Sequence, residues 1–344
     1  MTAPVNPGEA HRILIVKLRA IGDVILSTVV TKNLRLAFPG AQIHYLTESA
    51  SAEVLKGNPF VDDVLVYDRA AMSGPGLIRA VRRGRYDLVL DLFGNPRTAL
   101  LTWLSGARRR VGFRFRGRAY AYNVLAEPRG DSVHNTQFNL DALSALGVPI
   151  QDRHIYFSFD DADARYVDSF WPPAFGGGSL VVGINSGGGW YTKRWGLDRF
   201  AGLADRLSEE LGARIVLLWG PGQLPDAEEI RRRMVRDAFI PPATTLRQLG
   251  ALIKRCSILV SNDSGPMHIG SAVGIPVLGI FGPTDPRLQG PYGENHLVVR
   301  NEGLDCLGCN LTACPIGHPC MLGLSVEPVL QAVRQLITRN GIAS

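Results

Sequence analysis

The stretch Ile258-Leu-Val-Ser-Asn-Asp-Ser-Gly-Pro-Met-His268 predicts a buried strand that runs into a turn and the start of a helix. The apolar residues at Ile258–Val260 suit a parallel strand covered on both faces. The polar run Asn262–Ser264 consists of residue types that cap helices, and Pro266 is tolerated in a first helical turn. Uncapped amides at a helix start attract an anion such as phosphate. An ordinary capped helix without a ligand is the alternative.

The same alternation of strand, turn and helix extends through the chain on both sides. Arg12–Leu18 predicts a strand, Arg19–Asp23 a glycine turn and residues 24–37 a helix. The alternation stops at Phe170–Ser179, a stretch rich in proline and glycine, and restarts with a strand at Leu180–Ile184. Strands that alternate with helices predict parallel sheets covered on both faces. We therefore expect an α/β fold with two doubly wound, Rossmann-like domains.

The predicted linker divides the chain into an N-terminal domain at residues 1–172 and a C-terminal domain at 179–325. A final amphipathic helix within 326–344 is expected to pack back on the N-terminal domain. Ligands of open α/β sheets bind beyond the carboxyl ends of the strands. We expect the loops at three such ends to face one interdomain cleft. They are Arg19–Asp23, Ser186–Lys193 and Ser261–His268.

Size and composition are those of an ordinary globular protein. The chain has 344 residues, enough for two domains, with 46% hydrophobic and 20% charged residues. Its apolar runs are shorter than the ~18 residues of a membrane-spanning helix. Residues 1–11 lack the apolar core of a secretion signal and are predicted to be a loose tail. These features favour a cytoplasmic protein.

The net charge of +6 is concentrated in one block. Between Arg79 and Arg118 there are eleven arginines and two acids, Asp87 and Asp91. Such a surface suits a phosphorylated substrate, an anionic membrane or a nucleic acid, and a merely solvated face is the alternative. Because no DNA- or RNA-binding motif accompanies the charge, we expect no nucleic acid partner.

Four of the five cysteines lie close together near the C-terminus, as Cys306-x-x-Cys309-x4-Cys314-x5-Cys320. Clustered thiols in a reducing compartment suggest metal before disulfide. The sequence therefore predicts a structural zinc site, with free thiols as the alternative.

Two residues are candidates for catalysis. Asp23 follows a strand and opens a helix, where a carboxylate either stabilises the helix or accepts a proton from a hydroxyl nucleophile. Lys193 follows the glycine run Ser186–Gly189, which permits close approach of a ligand, and it is one of only five lysines among 37 basic residues. A surface lysine in a loop is the alternative. We find no GxGxxG after the first strand, no GxxxxGK[ST] and no GxSxG, which argues against dinucleotide oxidoreductases, P-loop NTPases and α/β-hydrolases.

Three segments together resemble the lipopolysaccharide heptosyltransferases of glycosyltransferase family 9. They are RILIVKLRAIGDVILSTVVTKNLRLAFPGAQI at residues 12–43, SGGGWYTKRW at 186–195 and SNDSGPMHIGSAVGIPVLGIFGPTDP at 261–286. The arginine-rich VGFRFRGR and the CxxC and GHPCM region resemble the same family, so that the similarity spans roughly residues 12–340. The turn Asn185–Gly187 departs from it, since many members have His-Pro-Gly there.

The resemblance implies a two-domain GT-B fold and an inverting transfer that needs no metal. It implies ADP-L-glycero-D-manno-heptose as donor, bound mainly by the C-terminal domain, and the lipopolysaccharide inner core as acceptor, bound by the N-terminal domain. By this similarity Asp23 matches the general base and Lys193 the residue that neutralises the leaving ADP. The donor contacts are expected at Ser186, Gly187, Gly188, Gly189, Asp263, Ser264, Gly265, Pro266, Met267 and His268.

The arginine block lies on the predicted acceptor domain and fits a phosphorylated, lipid-linked acceptor at the inner face of the inner membrane. The acceptor contacts are expected among Arg19, Arg97, Arg114 and Arg116. Two other readings compete with heptosyl transfer. One is a GT-B enzyme that acts on another nucleotide sugar, as a transferase or an epimerase. The other is a non-catalytic protein that binds an anionic ligand.

Overall fold

The computed structural model describes residues 10–176 and 178–343, so most of the predicted tail at residues 1–11 lies outside the described part. The chain divides into two compact units, Met1–Ser158 and Phe159–Ser344. Among the described residues, no helix is both long enough and apolar enough to cross a membrane.

The first unit is built on a parallel sheet of six strands in the order β3-β2-β1-β4-β5-β6. The strands are β1 (Arg12–Val16), β2 (Gln42–Glu48), β3 (Asp63–Tyr67), β4 (Leu88–Asp91), β5 (Arg109–Phe113) and β6 (Val124–Ala126). The helices are α1 (Ile21–Ser27), α2 (Val29–Ala37), α3 (Ser49–Ala52), α4 (Gly74–Arg83), α5 (Pro96–Leu104) and α6 (Asn135–Leu146).

Apolar, β-branched residues make β1 the centre of this sheet. Residue Ile13 pairs with Ile43 of β2 on one side and with Leu88 of β4 on the other. Both faces of β1 are buried, as expected for a central parallel strand. Residues Leu77 and Val81 anchor α4 in the core. Helix α5 lies beside α4 and contacts a 3₁₀ turn at Ala119–Ala121.

The second unit contains a five-stranded parallel sheet in the order β11-β10-β9-β7-β8. Its strands are β7 (Val181–Asn185), β8 (Arg214–Leu218), β9 (Ile258–Asn262), β10 (Val277–Phe281) and β11 (Leu297–Arg300), and two 3₁₀ turns lie at Pro173–Phe175 and Tyr191–Lys193. Its helices are α7 (Asp161–Asp168), α8 (Leu197–Leu211), α9 (Leu224–Arg233), α10 (Leu246–Lys254), α11 (Gly265–Ala272), α12 (Pro286–Gln289), α13 (Pro319–Leu322) and α14 (Val326–Arg339).

The final helix belongs to the second unit, whereas the sequence analysis set it apart from that domain; its packing on the N-terminal domain stays a prediction. Residues Val329, Leu330 and Val333 of α14 are fully buried in the core of the second unit. The helix contacts α8, β10 and β11. Its apolar face is thus covered by the neighbouring elements of its own sheet.

The boundary between the units also lies earlier than the predicted linker. Helix α7, which the sequence analysis did not predict, packs on α10 of the second unit. Arg247 on α10 forms ion pairs of 2.9 Å with both Asp160 and Asp163, and the Tyr166 hydroxyl donates to the carbonyl of Ala243 at 2.7 Å. These contacts place residues 159–172 with the second unit, although the sequence assigned them to the first.

The helix predicted at residues 24–37 consists of two helices, α1 and α2, that meet at Thr28. The Thr28 hydroxyl donates to the carbonyl of Ile25 at 2.6 Å and accepts the amide of Tyr156 at 2.7 Å. Because α1 begins at Ile21, Asp23 lies in its first turn, as the sequence predicted.

Candidate functional site

In the second unit, Lys193 and Asp263 form a buried ion pair at the carboxyl end of the sheet. Lys193 Nζ lies 2.6 Å from Asp263 Oδ2, and the two side chains are 12% and 6% exposed. The Thr284 hydroxyl donates to the same carboxylate oxygen at 2.7 Å. Lys193 Nζ also lies 4.5 Å from the centre of the Trp190 ring, a cation–π contact. The structure therefore joins two residues that the sequence assigned to separate roles.

Two asparagines connect the loops after β7 and β9. Asn185 donates to the hydroxyls of Ser261 and Ser264, both at 2.9 Å. Asn262 donates to the carbonyl of Ser186 at 2.7 Å and accepts the amide of Trp195 at 3.2 Å. The predicted donor loops Ser186–Lys193 and Ser261–His268 thus form one structure. Asn185, which departs from the family pattern, is one of its main connections.

Helix α11 starts at this cluster, as its sequence predicted. Ser264 is the N-cap residue, but its side chain makes no capping hydrogen bond and instead donates to the carbonyl of Asn262 at 3.1 Å. Pro266 occupies the first turn, and Met267 and His268 are buried. The positive end of the helix dipole therefore lies next to Lys193 and its loop.

The glycines before Lys193 differ in what they accommodate. A Cβ on Gly187 would lie 2.6 Å from the side-chain amide of Gln223, and one on Gly188 would lie 3.1 Å from Arg194. A Cβ on Gly189 would meet nothing within 4 Å. A side chain at Gly187 would thus displace the Gln223 amide and one at Gly188 would need a small shift of Arg194, whereas the sequence analysis attributed all three glycines to a ligand.

The cysteine segment contacts the turn that carries Lys193. Cys306, Cys309, Cys314 and Cys320 line one cavity of about 220 Å³ together with Thr192 and His318. The Thr192 hydroxyl donates to the carbonyl of Leu311 at 2.8 Å, and the His318 ring hydrogen-bonds to the carbonyl of Thr192. The segment therefore holds the residue next to Lys193.

The four thiols share a cavity but do not form a ready ligand set. Within residues 10–176 and 178–343, no three His, Cys, Asp or Glu side chains are grouped so that they could hold a metal ion. Cys314 Sγ accepts the amide of His318 at 3.2 Å, and Cys320 is buried, which raises the pKa of its thiol. This arrangement does not fit a tetrahedral zinc ion as it stands.

In the first unit, Asp23 is held by two donors at the carboxyl end of β1. Its Oδ1 accepts the side-chain amide of Asn135 at 2.7 Å, and its Oδ2 accepts the backbone amide of Ala20 at 3.1 Å. The carboxylate is partly exposed, so that it is oriented but accessible. This geometry suits a general base, which must be fixed and within reach of a hydroxyl.

Two buried ionisable side chains of this sheet were not singled out as site candidates by the sequence analysis, and one of them, Lys17, interacts electrostatically with both Asp23 and the other, Asp91. Lys17 is 6% exposed and donates to the carbonyl of Leu92 at 3.1 Å, and burial lowers the pKa of its ammonium. Asp91 accepts the Tyr122 hydroxyl at 2.7 Å and the amide of Gly94 at 2.9 Å, and burial raises the pKa of its carboxyl. Lys17 follows β1 and Asp91 ends β4. Ligands of open α/β sheets bind at these strand ends, so position in the sequence could have identified both residues.

The four arginines predicted to bind the acceptor have exposed side chains, and all follow carboxyl ends of strands. Arg19 follows β1, Arg97 follows β4, and Arg114 and Arg116 follow β5, which are neighbouring strands. Arg114 pairs with Glu127 at 2.9 Å, whereas the other three form no ion pair with any described residue. They are therefore available to an anionic ligand at this edge.

Comparison with known proteins relates these clusters to one family. The family described as glycosyltransferase family 9 (heptosyltransferase) matches residues 76–318. Lipopolysaccharide heptosyltransferase 3 of Escherichia coli (strain K12) is 28% identical over 300 residues, which cover 81% of this chain and 84% of that protein.

Solved structures share the architecture over nearly the whole chain. A family 9 glycosyltransferase from Veillonella parvula has a TM-score of 0.84 and 27% identity, and the match covers 95% of this chain and 97% of that one. The ADP-heptose lipopolysaccharide heptosyltransferase II of Escherichia coli has a TM-score of 0.76 at 20% identity and covers 96% and 99%. The predicted GT-B fold class is thereby confirmed, and the chain belongs to glycosyltransferase family 9, the heptosyltransferases.

Proposed function

We propose that this protein transfers heptose from ADP-L-glycero-D-manno-heptose to the inner core of lipopolysaccharide, with inversion at the anomeric carbon. The observation that carries the proposal is the Lys193 ammonium held beside the start of α11. A lysine and a helix N-terminus are the groups that stabilise a departing diphosphate. Family membership and a relative named for ADP-heptose and lipopolysaccharide support this choice of donor and acceptor.

The donor site is proposed to use Lys193 by exchange of partners. Asp263 neutralises the ammonium at 2.6 Å. A diphosphate that reaches this loop offers more negative charge than one carboxylate and draws the ammonium toward itself. Asp263 then retains the Thr284 hydroxyl as a donor. In this proposal Asp263 is a positioning residue that keeps the Lys193 ammonium charged and oriented.

The acceptor step is assigned to Asp23. Its carboxylate accepts the proton of the acceptor hydroxyl as that oxygen attacks the anomeric carbon of the donor. The bond from that carbon to the diphosphate oxygen breaks, and Lys193 stabilises the charge on the ADP that leaves. A single displacement of this kind inverts the anomeric centre. No metal is part of the proposal, since Lys193 and the α11 amides supply the positive charge.

The proposed acceptor is anchored in a lipid bilayer, which locates the reaction. We propose that the protein is cytoplasmic and associates peripherally with the inner face of the inner membrane. Arg19, Arg97 and Arg116, which form no ion pair within residues 10–176 and 178–343, lie at the edge of the sheet that carries Asp23, and guanidinium groups are well suited to the phosphates of a lipid-linked core.

A structural zinc in the cysteine segment stays a prediction. The support for it is the gathering of four thiols around one cavity. Their present spacing speaks against it. Ligation would require the side chains of Cys306, Cys309, Cys314 and Cys320 to move closer together.

The test of the proposal is transfer by the Asp23→Asn variant. We expect purified wild-type protein, given ADP-heptose and a heptose-free core acceptor, to yield a product heavier by one heptose. The substitution removes the base and should lower the turnover about 10²–10⁴-fold. ADP binding measured by calorimetry should remain unchanged, because Asp23 is assigned to the acceptor.

Asp131→Asn is the matched control, since Asp131 is an exposed carboxylate of the same unit. It should transfer like the wild type. If the Asp23→Asn variant turned over at the wild-type rate, Asp23 would not be the general base. If the wild type transferred another sugar but not heptose, the choice of donor would be wrong.

A further inference from the structure

The outer surface of α5 carries an exposed apolar stripe that no part of the catalytic proposal uses. Leu100 and Trp103 lie one turn apart on this helix and are 40% and 51% exposed. Tyr120, 57% exposed, extends the stripe, with its ring 6.0 Å from that of Trp103 in an edge-to-face contact. Large side chains left in water at this spacing indicate a surface that is covered in the working protein.

The neighbouring helix α4 presents arginines beside this stripe. Arg79, Arg82 and Arg83 lie on its exposed face, opposite the buried Leu77 and Val81. None of the three arginines forms an ion pair with a residue that the structure describes.

Three neighbouring arginines of the second unit differ in this respect. On α9, Arg232 and Arg233 both pair with Glu229 at 2.7 Å, and the adjoining Arg236 pairs with Glu209 at 3.2 Å. Among the described residues, the three arginines of α4 thus have no paired acid, whereas Arg232, Arg233 and Arg236 each have one.

The two helices form one continuous surface. They contact each other, and the 3₁₀ turn with Tyr120 contacts α5. Arg97 precedes Leu100 by one turn, and Arg108 follows the helix, both with exposed side chains. We call this surface, made of Arg79, Arg82, Arg83, Leu100, Trp103 and Tyr120, the α4–α5 face.

We propose that the α4–α5 face docks on an anionic lipid bilayer. Tryptophan and tyrosine rings settle at the level of the lipid head groups, and leucine enters the acyl region. Arginines beside them gain attraction from the negative charge of anionic lipids. The proposal rests on the proposed function in one respect, namely that the acceptor is lipid-linked.

Docking by this face would bring the catalytic edge of the first unit close to the membrane. Helix α5 begins directly after the carboxyl end of β4, beside the strand that leads to Asp23. Arg97, in its first turn, lies between the apolar stripe and that edge. An acceptor that projects from the bilayer therefore meets this edge first.

A nucleic acid is the other polyanion that the arginines fit. It would use the charge of α4 and leave Leu100 in water, whereas a bilayer uses both the charge and the apolar stripe. The observations therefore favour the bilayer, and the experiment includes the nucleic acid as an outcome.

The experiment is co-sedimentation of the full chain with vesicles, without donor or acceptor, at an ionic strength of about 0.1 M. We expect binding to vesicles that contain phosphatidylglycerol and much weaker binding to pure phosphatidylcholine. Leu100→Ser with Trp103→Ser, and separately Arg79→Glu with Arg82→Glu and Arg83→Glu, should each weaken the binding at least about tenfold. All five side chains are exposed, so these variants should keep their fold, which circular dichroism checks.

Val235→Ser with Arg236→Glu is the matched control, because Val235 is 86% exposed beside arginines of the second unit. It should bind vesicles like the wild type. Equal binding by the α4–α5 variants and the wild type would overturn the proposal. So would binding to a double-stranded oligonucleotide in place of vesicles.

Transfer to a delipidated, soluble core acceptor separates the two proposals. It should proceed at the wild-type rate in the α4–α5 variants. If transfer fails while the vesicles still bind, the proposed function fails alone. If vesicle binding fails while transfer proceeds, only the docking surface is wrong.

Discussion

At the scale of single residues, Lys193 is the proposed donor-site cation, and Asp263 holds its ammonium in an ion pair. The sequence pointed to it through the scarcity of lysine, the adjoining glycines and the family resemblance. The sequence analysis expected Asp263 to contact the donor and did not predict its ion pair with Lys193. The two residues are 70 positions apart, and an ion pair at that separation leaves no local signal in the sequence. For the same reason, the sequence analysis did not predict the contact of Asn135 with Asp23, which joins α6 to α1.

The ion pair changes what a substitution of Lys193 would report. Lys193→Ala leaves Asp263 buried without its cation, at a cost of about 3–5 kcal/mol. The variant Lys193→Met with Asp263→Asn removes both charges and keeps a polar partner for Thr284. We expect this double variant to unfold in urea near the wild-type midpoint, while kcat/KM for the donor falls about 10²–10³-fold.

The single Lys193→Ala variant serves as the comparison, with a lowered unfolding midpoint. Wild-type donor kinetics in the stable double variant would show that the lysine takes no part in transfer.

At the scale of elements, periodicity predicted the strands that carry the two clusters, because β1, β7, β9 and β10 are apolar and bounded by turns. It did not predict α7, whose attachment depends on Arg247 of a distant helix meeting Asp160 and Asp163. Strand β11 was also missed, since its residues are only partly buried at the edge of the sheet.

His296, which precedes the edge strand β11, is neutral and buried, and it makes the stability of the protein depend on pH. His296 Nδ1 accepts the amide of Val277 at 3.2 Å, and its Nε2 donates to the carbonyl of Tyr292 at 3.1 Å. Burial lowers the pKa of His296 to about 4, whereas in the unfolded chain it is about 6.5. Between these values the unfolded state binds more protons, so the free energy of unfolding falls as the pH falls.

We expect this histidine to contribute about 1–3 kcal/mol above pH ~6.5, lost progressively toward pH ~4. Urea unfolding at several pH values checks it: the stability difference between wild type and His296→Gln should shrink as the solution becomes acidic. His154→Gln, at an exposed position, is the control. A difference that is the same at pH ~7 and ~4.5 would refute this role.

At the scale of the whole molecule, the sequence predicted two Rossmann-like units and their strand-end loops, because the alternation of strand and helix is strong in both halves. The position of the boundary was wrong, and the membership of α14 in the second unit was not predicted, since both depend on contacts between distant elements. Composition alone also could not show that the arginines of α4 pair with no acid in the described part of the chain, while Arg232, Arg233 and Arg236 do.

A chelator separates two questions about metals. Transfer should continue at an unchanged rate in EDTA, because the proposed charge stabilisation comes from Lys193 and the amides of α11. A zinc ion in the cysteine segment would instead appear as about one metal per chain in protein purified without added metal, and its removal would lower the melting temperature. Loss of transfer in EDTA with an unchanged melting temperature would contradict the metal-free reaction.

The pairing of Lys193 with Asp263 has a consequence for discrimination among nucleotides. A ligand that lacks a diphosphate leaves the pair intact and gains nothing from the lysine. A ligand with a diphosphate recovers, through the released ammonium, the free energy that separating the pair requires. Under the proposed function, selectivity for a sugar on a charged leaving group then arises from competition for one cation.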